Sequence, residues 1–381
     1  MVKPSLSLGK ITMTVKTEKS PPTPASHVVN FHRDPLYANP PEAIYNLDRN
    51  ECLEPLPQVI IDEVRNALTG DFISKYPSQT ELRGALASFL QVEEANIILT
   101  PGSDAGIRSI MQAYIEAGDK MLMLDPTYGM YAPYAELFGG EAVKVSYNKD
   151  LSFDFDDLLN HIQPGVKVIA LANPNQPINT LIEDDQIERL LERSSQVGAL
   201  LVIDEAYYPF SGYTAMHLVA SNPNLLVLRT FSKGFGMAGL RIGYAVGHPE
   251  VVGTMFKVRS AHDVNGAALL CAHEVLKHYG EVETHIAHIL EGGSFLANAV
   301  SELGFEPILP IRTNFLLMKV AHIVDPKALA CELLTHGYRI KGPFNHPSLN
   351  GMVRVTLGSQ KLMSRFFHVL RKCVLNLQNN T

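Results

Sequence analysis

Residues 229–241 read Arg229-Thr-Phe-Ser-Lys-Gly-Phe-Gly-Met-Ala-Gly-Leu-Arg241, directly on the end of the apolar run Leu225–Thr230. A short apolar run opening into a segment dense in Gly, Ser and Ala predicts a buried strand followed by a close-packed turn. Working outward, Ile97–Thr100, Met121–Leu124, Val166–Ala172 and Ala199–Asp204 read as further buried strands, and Tyr244–Val246 as another. Between them Glu81–Gln91, Ser103–Glu116 and Asp184–Ser195 carry apolar residues at helical spacing. Strands alternating with helices predict an α/β fold with a mostly parallel sheet covered on both faces. Ser78-Gln-Thr-Glu81 predicts a capping box at the start of the first of these helices.

After Val264 the pattern changes to long helical stretches at Ala267–Lys277 and Glu281–Leu303, followed by Asn314–Lys319, Pro326–His336 and Met352–Thr356. That predicts a smaller α+β domain. The Pro-rich segment Pro35–Pro57 leads into a helix at Val59–Leu68 and is expected to pack with this C-terminal part. The expected partition is an N-terminal arm over 1–39, a piece of the small domain over 40–68, a large domain over 69–264 and the rest of the small domain over 265–381.

The 381 residues are 46% hydrophobic, enough to bury a substantial core, and a net charge of −7 with no Lys/Arg block argues against a nucleic-acid partner. Cys52, Cys271, Cys331 and Cys373 lie far apart with no CxxC pair, so the spacing indicates neither a zinc site nor a disulfide framework, and a reducing cytoplasm is expected. His285 and His288 share a helix face without a third ligand nearby in sequence, which reads as a solvated helix. No apolar run reaches the roughly 18–20 residues needed to cross a bilayer, so no membrane partner is expected. The Pro cluster and single Arg of residues 1–33 suit a mobile arm better than a transit peptide.

Lys233 sits where a buried amine is expected, and burial or a nearby cation holds a lysine partly neutral, as condensation with an aldehyde cofactor requires. Gly234-Phe-Gly236-Met-Ala-Gly239 formally matches a dinucleotide fingerprint, but Arg241 and the next strand follow too soon for a crossover helix. The strand Ala199–Asp204 ends in Asp204-Glu-Ala-Tyr207, which puts a carboxylate at the edge of the sheet. Such a residue either caps a helix or faces a ligand's ring nitrogen, where an ion pair at about 4 Å and an effective dielectric near 20 is worth about 4 kcal/mol. Val166–Ala172 ends in Asn173-Pro-Asn175-Gln-Pro177, either a Pro-Asn turn or a stiffened loop whose Asn175 donates to a phenolate oxygen. Ile97–Thr100 ends in Pro-Gly-Ser103-Asp104-Ala105 and a helix, so the free amides form a phosphate site that Arg241 can reinforce.

Together these residues resemble the class I/II aminotransferases, in particular the histidinol-phosphate aminotransferase branch, from about Tyr45 to Leu375. The motifs are Tyr76-Pro with Leu82-Arg83, Gly102-Ser-Asp104, Asp125-Pro-Thr-Tyr128-Gly-Met-Tyr131, Asp204-Glu-Ala-Tyr-Tyr-Pro-Phe210, Ser232-Lys233 with Arg241, and Val353-Arg354-Val-Thr-Leu-Gly358. The resemblance implies the fold type I of pyridoxal 5'-phosphate (PLP) enzymes, with a mostly parallel seven-stranded sheet, and a homodimer with shared active sites. By it Lys233 is the Schiff-base lysine and proton shuttle, Asp204 pairs with the pyridine nitrogen, Tyr207 and Asn175 contact the phenolic oxygen, and Tyr128 stacks on the ring. Ser103, Asp104, Ala105, Thr230, Ser232 and Arg241 form the phosphate pocket, which Tyr76 reaches from the second subunit. Arg354 holds the substrate's carboxylate or phosphate, with Asn50 and Lys341 on the substrate side.

The implied reaction is ping-pong transamination between histidinol phosphate and 2-oxoglutarate. An aminotransferase for an aromatic amino acid or a specialised-metabolite precursor is the alternative, with decarboxylase or oxidase chemistry more remote. Three departures from the family pattern fall near the substrate. Asn173-Pro-Asn-Gln-Pro-Ile-Asn-Thr180 lacks the usual glycine, the N-terminal loop reads Asn50-Glu-Cys-Leu53, and Lys341 replaces a usual arginine.

Overall fold

The computed structural model describes residues 22–29 and 45–379. Most of the expected N-terminal arm, and positions 40–44, lie outside them. Among the described residues there are twelve strands: β1 (Tyr45–Leu47), β2 (Ile97–Thr100), β3 (Lys120–Asp125), β4 (Glu141–Ser146), β5 (Val166–Ala172), β6 (Leu200–Asp204), β7 (Leu225–Thr230), β8 (Gly243–Gly247), β9 (Glu306–Pro307), β10 (Phe315–Lys319), β11 (Tyr338–Ile340) and β12 (Met352–Thr356). Seven of them form one sheet in the order β2-β8-β7-β6-β5-β3-β4. Only β8 runs antiparallel to its neighbours in this sheet.

This topology positions the site. β2, β3, β5, β6 and β7 end on one edge of the sheet, and the antiparallel β8 begins there, so six strand ends deliver their flanking loops to one line. The central strands β5, β6 and β7 are buried almost throughout, which is why they read as continuous apolar runs. β4 escaped the sequence reading because it is the sheet's edge strand: Glu141-Ala-Val-Lys-Val-Ser146 is half exposed and carries charges that discourage edge pairing. Helices pack both faces, among them Gly102–Tyr114 and Asp184–Val197.

The smaller part is built from the antiparallel sheet β12-β10-β9, the parallel pair β1–β11 and the helices Tyr279–Glu302, Pro326–Thr335 and Gln360–Asn379. Pairing of β1 with β11 binds the chain near Tyr45 to the C-terminal part. The capping box at Ser78 does not form. The helix runs Thr80–Leu90 with Gln79 as an N-cap that makes no side-chain bond, and Ser78 Oγ accepts only from Thr80 N at 3.3 Å. No helix among the described residues is long and apolar enough to cross a membrane.

Candidate active site

β7 hands the chain to Ser232 and Lys233 through a turn in which Gly236 takes φ 69°, leading to the short helix Ala238–Leu240 instead of a crossover helix. The glycine-rich stretch therefore shapes a turn and not a dinucleotide cradle. Lys233 Nζ donates to the Arg49 carbonyl at 3.0 Å. Burial, reinforced by the cations Arg354 and Arg241 and opposed by Glu51, pulls its amine down to about 8, so about a tenth is neutral at pH 7, far more than for an ordinary lysine.

One end of the line of loops is built to take an anion. The helix Gly102–Tyr114 starts after Pro101 with no side-chain cap, so the first amides at Gly102, Ser103, Asp104 and Ala105 have no capping side chain to satisfy them. A Cβ at Gly102 (φ 79°) would sit 2.7 Å from Arg241 Nη2, and one at Gly243 would sit 2.8 Å from Ser103 N. Two glycines thus let Arg241 and the helix start close together. Arg241 Nη1 also lies 3.4 Å from Ser232 Oγ, which accepts from Thr230 Oγ1 at 3.0 Å. Thr230, Ser232, Arg241 and the amides at Ser103–Ala105 form one cradle.

At the middle of the line β6 delivers Asp204. Its carboxylate accepts from Tyr131 Oη at 2.8 Å and from Ala206 N at 3.1 Å, and burial pushes its pKa up to about 6. The chain is extended into a turn here, so Asp204 does not cap the following short helix, whose N-cap is Tyr207. Tyr128 and Tyr134 donate to the two oxygens of Asp104 at 3.0 and 2.8 Å. Tyr131 and Tyr134 join these carboxylates through folding, and their signal in the sequence is the aromatic run after Asp125, three hydroxyls at helical spacing. Beneath the site Glu205 and Arg229 pair at 2.8 Å, both buried, with Thr214 and the Ala215 amide completing the network.

At the far end stands Asn175. Its side chain is committed away from Tyr207: Nδ2 donates to the Pro126 carbonyl and to Tyr147 Oη, both at 2.9 Å, and Oδ1 accepts from Thr127 at 2.5 Å. The adjacent Gln176 is the residue that meets Tyr207, its Oε1 accepting from Tyr207 Oη and, at 3.2 Å, from Asn50 Nδ2. Asn50 Nδ2 also donates to Tyr207 Oη at 2.8 Å, and burial lifts the Tyr207 hydroxyl to about 12. The glycine missing from this loop is replaced by Asn179 at φ 73°, a conformation asparagine tolerates. Its amide ties the loop to the smaller part by donating to the Pro310 carbonyl and accepting from Arg312 N.

Arg354 enters from β12. It is 6% exposed, Nη2 donates to the Asp48 carbonyl at 2.7 Å, and its buried Nε has no hydrogen-bond partner. A desolvated guanidinium with a donor unused is poised for a carboxylate or phosphate. Lys341 pairs with Arg354 through backbone bonds and its side chain is exposed. Tyr76, 83% exposed, stacks on His262 at 4.5 Å and stands outside its own chain's site. His285 is not simply solvated: its Nε2 lies 3.0 Å from Cys52 Sγ in the altered N-terminal loop, while His288 is exposed.

Residues 42–370 match the family model "Aminotransferase class I and II". The histidinol-phosphate aminotransferase of Caldanaerobacter subterraneus subsp. tengcongensis is 30% identical over 86% of this chain and 92% of its own length. That of Roseiflexus castenholzii is 33% identical over 87% of this chain and 90% of its own. The crystal structure of histidinol-phosphate aminotransferase from Sinorhizobium meliloti in complex with pyridoxal-5'-phosphate superimposes with a TM-score of 0.78 at 26% identity, covering 88% of this chain and 92% of that one. With an anion cradle, a buried carboxylate and a depressed lysine amine aligned on one sheet edge, and a family match over most of its length, this chain belongs to the class I and II aminotransferases.

Proposed function

We propose that the protein is a PLP-dependent aminotransferase that takes the amino group of histidinol phosphate and passes it to 2-oxoglutarate by a ping-pong cycle. The observation that carries this reading is the alignment along one sheet edge of Lys233, Asp204 and the cradle of Ser103, Asp104, Ala105, Thr230, Ser232 and Arg241. It matches the aldehyde, ring nitrogen and phosphate of that cofactor in order. The two glycines at 102 and 243, whose missing Cβ atoms leave room for Arg241 and the amides, support a phosphate there.

When bound, the cofactor supplies an aldehyde that takes the substrate amine and a ring that spreads the charge developing at the substrate's α-carbon. The chain supplies the rest. Asp204 is oriented by Tyr131, and a cationic ring nitrogen beside it restores the ionised form that burial opposes. Tyr207, held between Gln176 and Asn50, would be the hydroxyl that meets the phenolic oxygen, and Tyr128, anchored to Asp104, would help hold the ring. Lys233 at about 8 can both accept and return a proton, as movement of a hydrogen between two carbons requires. Arg354 binds the acidic group of the substrate through its unused Nε.

Several finer assignments belong to the same reading. Asn50 and Lys341 lie on the substrate side. Tyr76 completes the phosphate pocket of a second subunit in a homodimer, in keeping with its exposure. Residues 69–264 form the large domain, with 40–68 and 265–381 as the small one, supported by the pairing of β1 with β11. The four free cysteines suit a reducing cytoplasm. The histidinol phosphate assignment rests on what the relatives are named. A second reading, a different amino donor, is favoured by Gln176, Cys52 and Lys341 at the substrate end.

The test is an absorbance titration of the PLP-loaded protein with histidinol phosphate, glutamate and a panel of aromatic and basic amino acids. Loss of the visible cofactor band with both histidinol phosphate and glutamate supports the proposal. Loss only with another amino acid transfers the enzyme to the second reading, and no cofactor band at all overturns the cofactor assignment.

A further inference from the structure

Spacing along the chain gives no metal motif, yet folding brings Glu332, His336 and Cys373 together. Glu332 and His336 lie four residues apart at the end of helix Pro326–Thr335, and so on one face, while Cys373 projects from helix Gln360–Asn379. One donor atom from each lies within 4.8 Å of the other two. We propose that these three side chains bind a zinc-class divalent ion that fastens the two helices of the smaller part together, away from the catalytic residues.

The geometry is close to what such an ion needs. Tetrahedral zinc with one sulfur at about 2.3 Å and nitrogen or oxygen near 2.0–2.1 Å sets its ligand atoms roughly 3.3–3.6 Å apart. Cys373 Sγ and His336 Nδ1 lie 3.8 Å apart, a little wider than that spacing. The remaining gap closes by rotating Glu332, whose Oε1 lies within 3.4 Å of the Asn376 amide, a neighbour able to steady a ligating carboxylate. His336 Nδ1 now faces the Glu332 carbonyl at 3.0 Å and Thr335 Oγ1 at 3.1 Å, so binding requires the ring to carry its proton on Nε2 instead. Cys373 is fully buried and the other two are half-buried, which gives a desolvated thiol at the base and an open approach at the top. Thiolate, imidazole and carboxylate in one set favour zinc over magnesium or calcium, and three protein ligands leave a fourth position for water. On binding, the thiol proton leaves to solvent as the sulfur–metal bond forms, with no redox change.

The test uses reduced, chelator-treated, PLP-loaded full-length protein titrated with Zn2+ by calorimetry, with the thermal midpoint read in parallel. One ion per protomer is expected, with a higher midpoint when it is bound. Cys373→Ser and His336→Gln should each weaken binding by about 100-fold or more, on the order of the upper end seen when a metal site loses supporting groups. Cys331→Ser, an exposed thiol next to Glu332 but outside the cluster, should leave it unchanged. If Cys373→Ser fails to fold, the half-buried His336→Gln and Glu332→Gln variants still decide the question. Wild-type protein that takes up no zinc, or zinc binding retained at full affinity in His336→Gln or Cys373→Ser, overturns the proposal.

Discussion

Replacing Asp204 with asparagine should stabilise the cofactor-free protein while crippling the enzyme. In the fold, burial lifts this carboxyl from its ordinary 3.8 to about 6. The native state therefore holds its proton more tightly than the unfolded chain does. Stability falls as pH rises from about 3.8 to about 6 and stays lower above that window, because the folded protein must then bury a charge. The gap corresponds to about 3 kcal/mol. Asparagine removes that cost but pairs imperfectly with Tyr131 Oη and Ala206 N, which returns about 1 kcal/mol. The variant should thus be about 2 kcal/mol more stable than wild type at pH 8 and no more stable at pH 4, measured by urea unfolding of both cofactor-free proteins. Turnover should fall about 1000-fold, the equivalent of losing a carboxylate–pyridinium pair worth about 4 kcal/mol. An equal difference at both pH values would refute the burial argument. Activity within about tenfold of wild type would remove Asp204 from its role at the ring.

Lys233 gives a second pH test: the rate at which cofactor-free protein condenses with PLP should rise with pH through a midpoint near 8, whereas a midpoint at the ordinary lysine value of 10.5 would show that the amine is not depressed. The midpoint should move upward in Arg354→Met, which removes the largest charge contribution after burial. Glu205→Gln leaves Arg229 buried without its counter-ion and should cost about 3–5 kcal/mol in urea unfolding; a loss under about 1 kcal/mol would mean that Thr214 and Tyr244 suffice for the guanidinium. Gly243→Ala would push a Cβ to 2.6 Å from the Arg229 carbonyl and 2.8 Å from Ser103 N. It should cost about 1–3 kcal/mol or more and weaken PLP binding in equilibrium dialysis, and unchanged binding would place the phosphate elsewhere.

The sequence by itself determined the class of fold and most of the polar residues that the strand ends bring to one edge of the sheet. Buried central strands need apolar residues on both faces, so β5 and β7 were legible to the residue, and a ligand at the sheet edge requires chemistry where those runs stop. Lys233, Asp204, Ser103 and Arg241 could be found because each follows or precedes a strand end. What the sequence could not decide was which of two adjacent side chains points into the site. Asn175 and Gln176 differ only in direction along a Pro-bounded loop, and Tyr147, from a different strand's end, claims Asn175 and leaves Tyr207 to Gln176. The partners of Asp204 and Asp104, the pairing of His285 with Cys52, and the meeting of Cys373 with His336 are likewise contacts between segments far apart in sequence or on separate elements. Local periodicity fixes which face a residue occupies, and only the packing of one element on another fixes what that face meets.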